Sequence, residues 1–285
     1  MPMFKLAISA GHYLGTPGKR CAKSLDPNET REWVLNDRIA DKFEKILAEY
    51  DGIETLRVDD TTGKKNISLE ERARIANNWK ADLYVAIHHN AADLEEPEDT
   101  FDGGGIVVYI HSTNAKPGAT EWQKAFYDAS VKHTGLKGNR ATPLAKAKLK
   151  ECGLPNCVSV LVECGFMNST VDVPKILSEA FADNMAKALA ETVIEKIGAT
   201  MKNSVAALMI AVTLPVLKKG SKGEEVKTLQ RLLNALGYTD ANEKALTVDG
   251  SFGPATLYAL KAYQNANGLE VDGYCGKQTW TSLLT

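Results

Sequence analysis

The chain has 285 residues, of which 44% are hydrophobic and 25% charged, an ordinary balance for a packed globular protein that excludes a wholly disordered or fibrous chain. Its 34 Lys+Arg against 36 Asp+Glu give a net charge of -2, so there is no basic excess to neutralise a run of phosphates and nucleic acid is not an expected partner. The length suggests about two domains.

The five cysteines are odd in number and include no C-x-x-C pair, which argues against a disulfide framework and against a thiolate metal site. Cys164 lies in an apolar run and reads as a small buried hydrophobe. At the N-terminus Lys5 interrupts a short apolar stretch, and glycine and histidine follow at once, unlike a secretory signal. Residues 205–217 form another apolar run. As a helix it would reach only about 20 Å against a hydrocarbon core of about 30 Å, and Pro215 sits inside it. It reads as a connector, with no membrane span expected.

Along residues 1–198, short β-rich runs alternate with helical patterns. Residues 4–8 are a candidate strand. Leu35, Ile39, Phe43, Ile46 and Leu47 mark one face of a helix over 33–50, and residues 53–58 are the next strand. Ser68-Leu-Glu-Glu71 matches a capping box opening a helix over 69–79. Residues 83–88 are almost continuously apolar, as in a central strand covered on both faces, and residues 105–110 and 158–163 look similar. Residues 121–133 and 177–197 are helical in pattern. The alternation predicts an α/β fold, a mostly parallel twisted sheet flanked by helices. Residues 93–105, acidic and ending in Gly-Gly-Gly, read as a solvated loop, or alternatively as the rim of a cleft.

Composition shifts near Gly198. Residues 199–215 form an apolar linker, and residues 216–285 a second small domain of short helices and glycine turns. That domain repeats itself: Val248-Asp-Gly-Ser-Phe-Gly253-Pro-Ala-Thr256 resembles Val271-Asp-Gly-Tyr-Cys-Gly276-Lys-Gln-Thr279. The repeat suggests a pseudo-symmetric helical module.

Four side chains fall where a parallel sheet delivers groups to a cleft. His12 follows the first strand, His88 ends the third, Glu163 ends the strand begun at Val158, and Glu32 starts the first long helix. Two imidazoles and a carboxylate suit a catalytic zinc with an open fourth position, and a second carboxylate could act as general base. Singly, each histidine is more commonly a satisfied core or surface group. Two choices are close. His89 adjoins His88, but successive strand residues face opposite ways, favouring His88. Glu29 precedes Glu32 by three.

The motifs taken in order are more specific. Ala-Gly-His12, Glu32-x-x-x-Asn36, Ser68-Leu-x-x-Arg72-x-x-x-Ala76-Asn77, Ala81-Asp82-Leu83, Ile87-His88-x-Asn90 and Leu161-Val162-Glu163-x-Gly165-Phe166-x-Asn168 together resemble the zinc-dependent N-acetylmuramoyl-L-alanine amidases of the amidase 3 family, over residues 4–197. The resemblance implies His12, Glu32 and His88 as ligands of one Zn²⁺ and Glu163 as the catalytic carboxylate. It also implies as substrate the amide between the lactyl group of N-acetylmuramic acid and L-alanine in peptidoglycan. Asn90, in the His88 motif, is a candidate substrate contact. His89 departs from the family's usual small residue.

Residues 217–284 are similar to the peptidoglycan-binding domain 1 family. The resemblance rests on Lys219-Gly220-Ser-Lys-Gly223-x-x-Val226-x-x-Leu229-Gln230-x-x-Leu233, on Leu236-Gly237-Tyr238 and on the two D-G-x-x-G-x-x-T copies around Tyr263-Gln264. It implies a three-helix, all-α module that tethers the enzyme to its polymer, raising the local concentration of the catalytic domain. Tyr238, Tyr258 and Tyr274 are candidates for stacking on sugars, whereas Phe252 and Trp280 are expected in the core. Self-association through the linker or the C-terminal domain is a further possibility.

The functional expectation is a peptidoglycan hydrolase of endolysin or autolysin type, made in the cytoplasm without a signal peptide and acting on the wall after release by a membrane pore or lysis. The alternatives are a zinc peptidase cutting within the stem peptide and a non-enzymatic wall-binding protein.

Overall fold

The computed structural model describes residues 3–94, 99–138, 142–202 and 214–284. The chain divides into two compact units, 1–201 and 202–285.

The first unit is built on a six-stranded sheet in the order β2-β1-β3-β6-β4-β5. The strands are β1 (Phe4–Ala10), β2 (Ile53–Arg57), β3 (Leu83–Asn90), β4 (Val107–His111), β5 (Leu144–Ala147) and β6 (Val158–Phe166). β1 pairs in parallel with β2 and β3, and β3 with β6. β4 runs antiparallel to β6 and parallel to β5. The reversal has a local cause. No helix forms among the described residues between β3 and β4, so the chain lacks the crossover that would return it to the parallel direction.

The helices of this unit are α1 (Glu32–Leu47), α2 (Leu69–Trp79), α3 (Ala119–Thr134), α4 (Lys150–Gly153), α5 (Val173–Ile176) and α6 (Glu179–Ile197). α1, α3 and α6 cover one face. Leu35, Ile39, Phe43 and Met185 pack there with Leu6, Ile8, Val85 and Val162 in a single core. Each fully buried large apolar side chain contributes about 1.5–3 kcal/mol of burial. α2 and α4 cover the other face, where Ala7, Tyr84, Ala86 and Leu161 meet Ala76 and Cys152. The central strands are thus buried on both sides, which explains their unbroken apolar runs.

Ser68 Oγ caps α2 by accepting from Glu71 N at 3.2 Å. The expected reciprocal bond is replaced: the Glu71 carboxylate turns to Arg74, at 2.7 and 2.6 Å. Two strands run past their expected ends, β3 to Asn90 and β6 to Phe166, so Glu163 sits within its strand and not at its end. β5 and α4 carried no periodic signal in the sequence.

In the second unit the described helices are α7 (Glu224–Ala235), α8 (Pro254–Ala266) and α9 (Lys277–Leu284). They enclose a core of Leu217, Val226, Leu229, Phe252, Leu260 and Trp280. The internal repeat has a structural counterpart. Gln230 Nε2 donates to Asp249 Oδ1, Ser251 O and Thr256 Oγ1 at 2.9, 3.1 and 3.2 Å, while its Oε1 accepts from Gly250 N at 3.0 Å. Gln264 does the same with Asp272 Oδ1, Tyr274 O, Thr279 Oγ1 and Gly273 N, at 2.8, 3.0, 3.3 and 3.0 Å. Each copy of the D-G-x-x-G-x-x-T loop is latched by a buried glutamine from the preceding helix. Gly250 and Gly273 turn at φ 74 and 76, the left-handed region glycine enters freely.

All five cysteines are free thiols. No helix among the described residues is long and apolar enough to cross a membrane. Most of the apolar linker, residues 203–213, lies outside the described residues, and with it the suggestion of self-association through that segment.

Candidate active site

The chain leaves β1 for the sheet edge at β2 and returns to β3 on the other side of β1. The carboxyl ends of β1 and β3 therefore form a switch point, where open α/β sheets hold ligands. Gly11 N donates to Ile87 O at 2.9 Å, tying the two strand ends together.

His12 follows directly, at φ 68, a left-handed conformation in which histidine is among the better tolerated residues. The loop from there to α1 is stapled internally. Buried Asp26 accepts from Asn28 N and Thr30 N at 3.1 and 2.7 Å, and Glu32 N donates to Lys19 O at 3.0 Å. These bonds fix where α1 begins and so place Glu32, which is fully buried.

His12, Glu32 and His88 come together, with one donor atom from each lying within 4.8 Å of the others. His12 Nε2 is 3.3 Å from Glu32 Oε2, and His88 Nδ1 is 3.0 Å from Glu32 Oε1. Glu32 Oε2 is buried without a hydrogen-bond partner among the described residues, which leaves it free to bind a cation. Lys19 Nζ, on a half-exposed side chain, approaches that oxygen to 3.6 Å. The trio could hold a metal ion.

Burial opposes charge on Glu32, but its hydrogen bond to His88 and the nearby imidazoles prevail and hold its pKa at about 2. Burial also disfavours the His88 cation, yet hydrogen bonds to Glu151 and Glu32 raise its pKa to about 10. His12, desolvated and more weakly opposed by Glu32, falls to about 4.

Glu163 lies beside His88 in the β3–β6 register, and both side chains stand on the α2/α4 face. Its Oε2 is enclosed and has no hydrogen-bond partner among the described residues. Desolvation of the carboxyl raises its pKa to about 7. A carboxyl poised near neutrality, next to a cluster of metal-type ligands, can take and return a proton.

His89 projects the opposite way, its Nδ1 2.8 Å from Asn36 Oδ1. Asn36 Nδ2 in turn donates to Gly11 O at 3.1 Å, so this pair braces the strand end against α1. Glu29 pairs with Arg20 at 2.6 Å and is not part of the trio. Asn90 is half-buried. Its carbonyl accepts from Met167 N at 2.7 Å and its Oδ1 from Ala91 N at 2.8 Å, which shapes the β3–β6 exit.

In the second unit Tyr258 and Tyr274 are exposed. Lys218 Nζ lies 6.0 Å from the Tyr274 ring centroid. Tyr238 instead packs edge-on against Tyr263, with ring centroids 5.2 Å apart. Phe252 and Trp280 are core residues.

A cleft of about 810 Å³ opens near the ends of β3 and β6, lined among others by Ala92, Phe101, Leu136, Phe166, Asp172 and Lys175. Phe101 stands edge-on to Phe166 at 5.6 Å, and its N–H donates to Asn168 O at 3.2 Å. The later part of the acidic loop therefore forms a wall of this cleft. Residues 95–98 of that loop lie outside the described residues.

Sequence reasoning missed Glu151. It is nearly fully buried on α4, with Oε2 3.1 Å from His88 Nε2. It stands beside Lys150 in a stretch with no motif, so nothing in the sequence signals it.

Residues 6–195 match the N-acetylmuramoyl-L-alanine amidase family. The chain belongs to that family. Residues 222–283 match a putative peptidoglycan binding domain. The sporulation-specific N-acetylmuramoyl-L-alanine amidase of Bacillus subtilis (strain 168) is 26% identical over 186 residues, 65% of each chain. The endolysin of Bacillus phage SPP1 is 30% identical over 195 residues, 66% of this chain and 64% of that protein. The chain thus spans just under two thirds of the length of these curated relatives. The crystal structure of N-acetylmuramoyl-L-alanine amidase from Clostridium difficile 630 superposes with a TM-score of 0.60 at 24% identity, covering 70% of this chain and 98% of that one, and shares its fold.

Proposed function

We propose that the chain is a zinc-dependent N-acetylmuramoyl-L-alanine amidase that hydrolyses the amide between the lactyl group of N-acetylmuramic acid and the L-alanine of the stem peptide. The observation that carries this reading is the His12–Glu32–His88 trio beside half-buried Glu163, whose Oε2 is enclosed, in a chain of the amidase family. Two imidazoles and one carboxylate, with an unpartnered buried carboxylate oxygen among them, fit zinc with an open position. When bound there, zinc supplies Lewis-acid polarisation of the scissile carbonyl and lowers the pKa of a water to about 7.

The chain's own groups do the rest. Glu163 takes the proton of the attacking water. It then returns that proton to the L-alanine nitrogen as the C–N bond breaks, leaving a lactyl carboxylate and a free peptide amine. Its pKa of about 7 suits both transfers. The cleft walled by Phe101 and Phe166 offers a bed for the stem peptide. The second unit holds peptidoglycan, with exposed Tyr258 and Tyr274 as sugar-stacking groups, and keeps the catalytic unit near its substrate. The likeness to a phage endolysin supports a lytic role.

Digestion of purified cell walls with and without a chelator tests the reading. An amidase releases intact stem peptides with N-terminal L-alanine, and only in the unchelated reaction. Peptides cut internally, or digestion indifferent to chelation, would reject it.

A further inference from the structure

Three ring-edge contacts fix the His88 imidazole. Nδ1 faces Glu32 Oε1 at 3.0 Å and Nε2 faces Glu151 Oε2 at 3.1 Å. Between the two nitrogens the ring lies against Gly11, where a Cβ would collide with it. The side of the ring turned toward the trio is therefore Nδ1, and the side turned away from it belongs to Glu151.

Glu151 is itself held in place. Its Oε1 accepts from Ser9 Oγ at 2.5 Å and from Tyr84 OH at 2.9 Å. Arg72, 1% exposed, donates to Ser9 Oγ at 2.7 Å and lies 3.8 Å from Glu151. The same guanidinium donates to Ala10 O and His12 O at 2.6 and 2.7 Å. A single buried network thus reaches the ring of His88 and the backbone on either side of Gly11, including that of His12. Its charge is balanced internally by Arg72, so the Glu151 carboxylate can stay buried and ionised.

We propose that Glu151 is a positioning residue for the metal site, accepting the Nε2 proton of His88 so that the Nδ1 lone pair faces the ion, with Arg72, Ser9 and Tyr84 holding the carboxylate for that task. The inference rests on the metal-site reading above. Carboxylates that accept the remote N–H of a metal-bound histidine fix its tautomer and ring orientation, and their loss typically lowers metal affinity about 10–100-fold.

The test is zinc affinity of the full chain, measured by competition with a chromophoric chelator, for the wild type, Glu151→Gln, Glu151→Ala and Glu151→Asp. The expected result is about a 10–100-fold weaker Kd for the Gln and Ala variants and an intermediate value for Asp, which keeps an acceptor carboxylate. Thermal unfolding of the same chains in excess chelator separates this from a merely structural role, which would lower the metal-free Tm and leave Kd unchanged. A wild-type Kd in a folded Glu151→Gln chain overturns the proposal and leaves the metal reading intact. A wild-type chain that binds no zinc overturns both. If the variants fail to fold, ¹⁵N ring shifts of the zinc-loaded wild type decide: His88 protonated at Nε2 and ligating through Nδ1 supports the proposal, and the opposite assignment overturns it.

Discussion

Gly11 has no side chain at the point where the His88 ring crosses the end of β1, and any Cβ there would occupy the ring's position. The glycine of Ala-Gly-His12 thus meets a packing requirement beside the proposed ligand His12. Gly11→Ala should displace the His88 ring, weaken zinc binding at least about 10-fold, a loss of the size seen when the support of a ligating histidine is removed, and abolish wall digestion. Equilibrium dialysis against zinc measures the first effect. Unchanged affinity would show that the ring does not ligate from its present position.

Glu163→Gln keeps the shape of the site but removes the proton acceptor. Turnover should fall by about 10²–10⁴-fold while zinc stoichiometry stays at that of the wild type. Release of soluble peptide from walls, measured alongside metal content, checks both halves. Near-normal turnover would remove Glu163 from the proton transfers.

His12→Ala and His88→Ala should each lower bound zinc well below one per chain, because each leaves two ligands where three are needed. Metal analysis after dialysis reads this directly. Full stoichiometry in both variants would reject the trio.

The metal-free chain should be acid-sensitive. Glu32 and Glu151 both have folded pKa values lowered from 4.5 to about 2. Their contribution to stability is complete above pH 4.5 and is lost as pH falls toward 2, because the unfolded chain then takes up protons that the folded chain resists. Thermal unfolding in chelator should show Tm dropping across that window, and dropping less steeply in Glu151→Gln. A flat profile would contradict the assigned charges.

In the second unit, Gln230→Ala or Gln264→Ala strips one latch and leaves the buried N–H of Gly250 or Gly273 without its acceptor. Each should cost about 1–3 kcal/mol in unfolding of that unit, as expected for an orphaned buried polar group. Denaturant titration checks the size. The pseudo-symmetry of the two latches predicts similar values for the two variants.

Much of the first unit was legible because its central strands are buried on both faces and its helices carry apolar stripes. His12, Glu32, His88 and Glu163 stood out as strand-end and helix-start groups, and the family resemblance singled them out as a set; the structure brings His12, Glu32 and His88 into one cluster and turns His89 toward Asn36. Glu151 was not legible: α4 has four residues, too few for periodicity, and only tertiary packing against Ser9, Tyr84 and His88 buries its carboxylate. The antiparallel placement of β4 went unread for a related reason. Strand runs in the sequence do not state direction, and a cue lay in residues 93–105, which carry no helical periodicity. Arg72 stood in a recognised motif, but its role became visible only when its guanidinium was seen bonding to the backbone beside His12.

The most direct test of the central claim is hydrolysis of a defined muramyl peptide in H₂¹⁸O by the zinc-loaded chain. The account predicts one ¹⁸O in the lactyl carboxylate of the muramic acid product and none in the released peptide, whose N-terminus is L-alanine. Label in a peptide carboxylate, or an intact substrate after prolonged incubation, would contradict it.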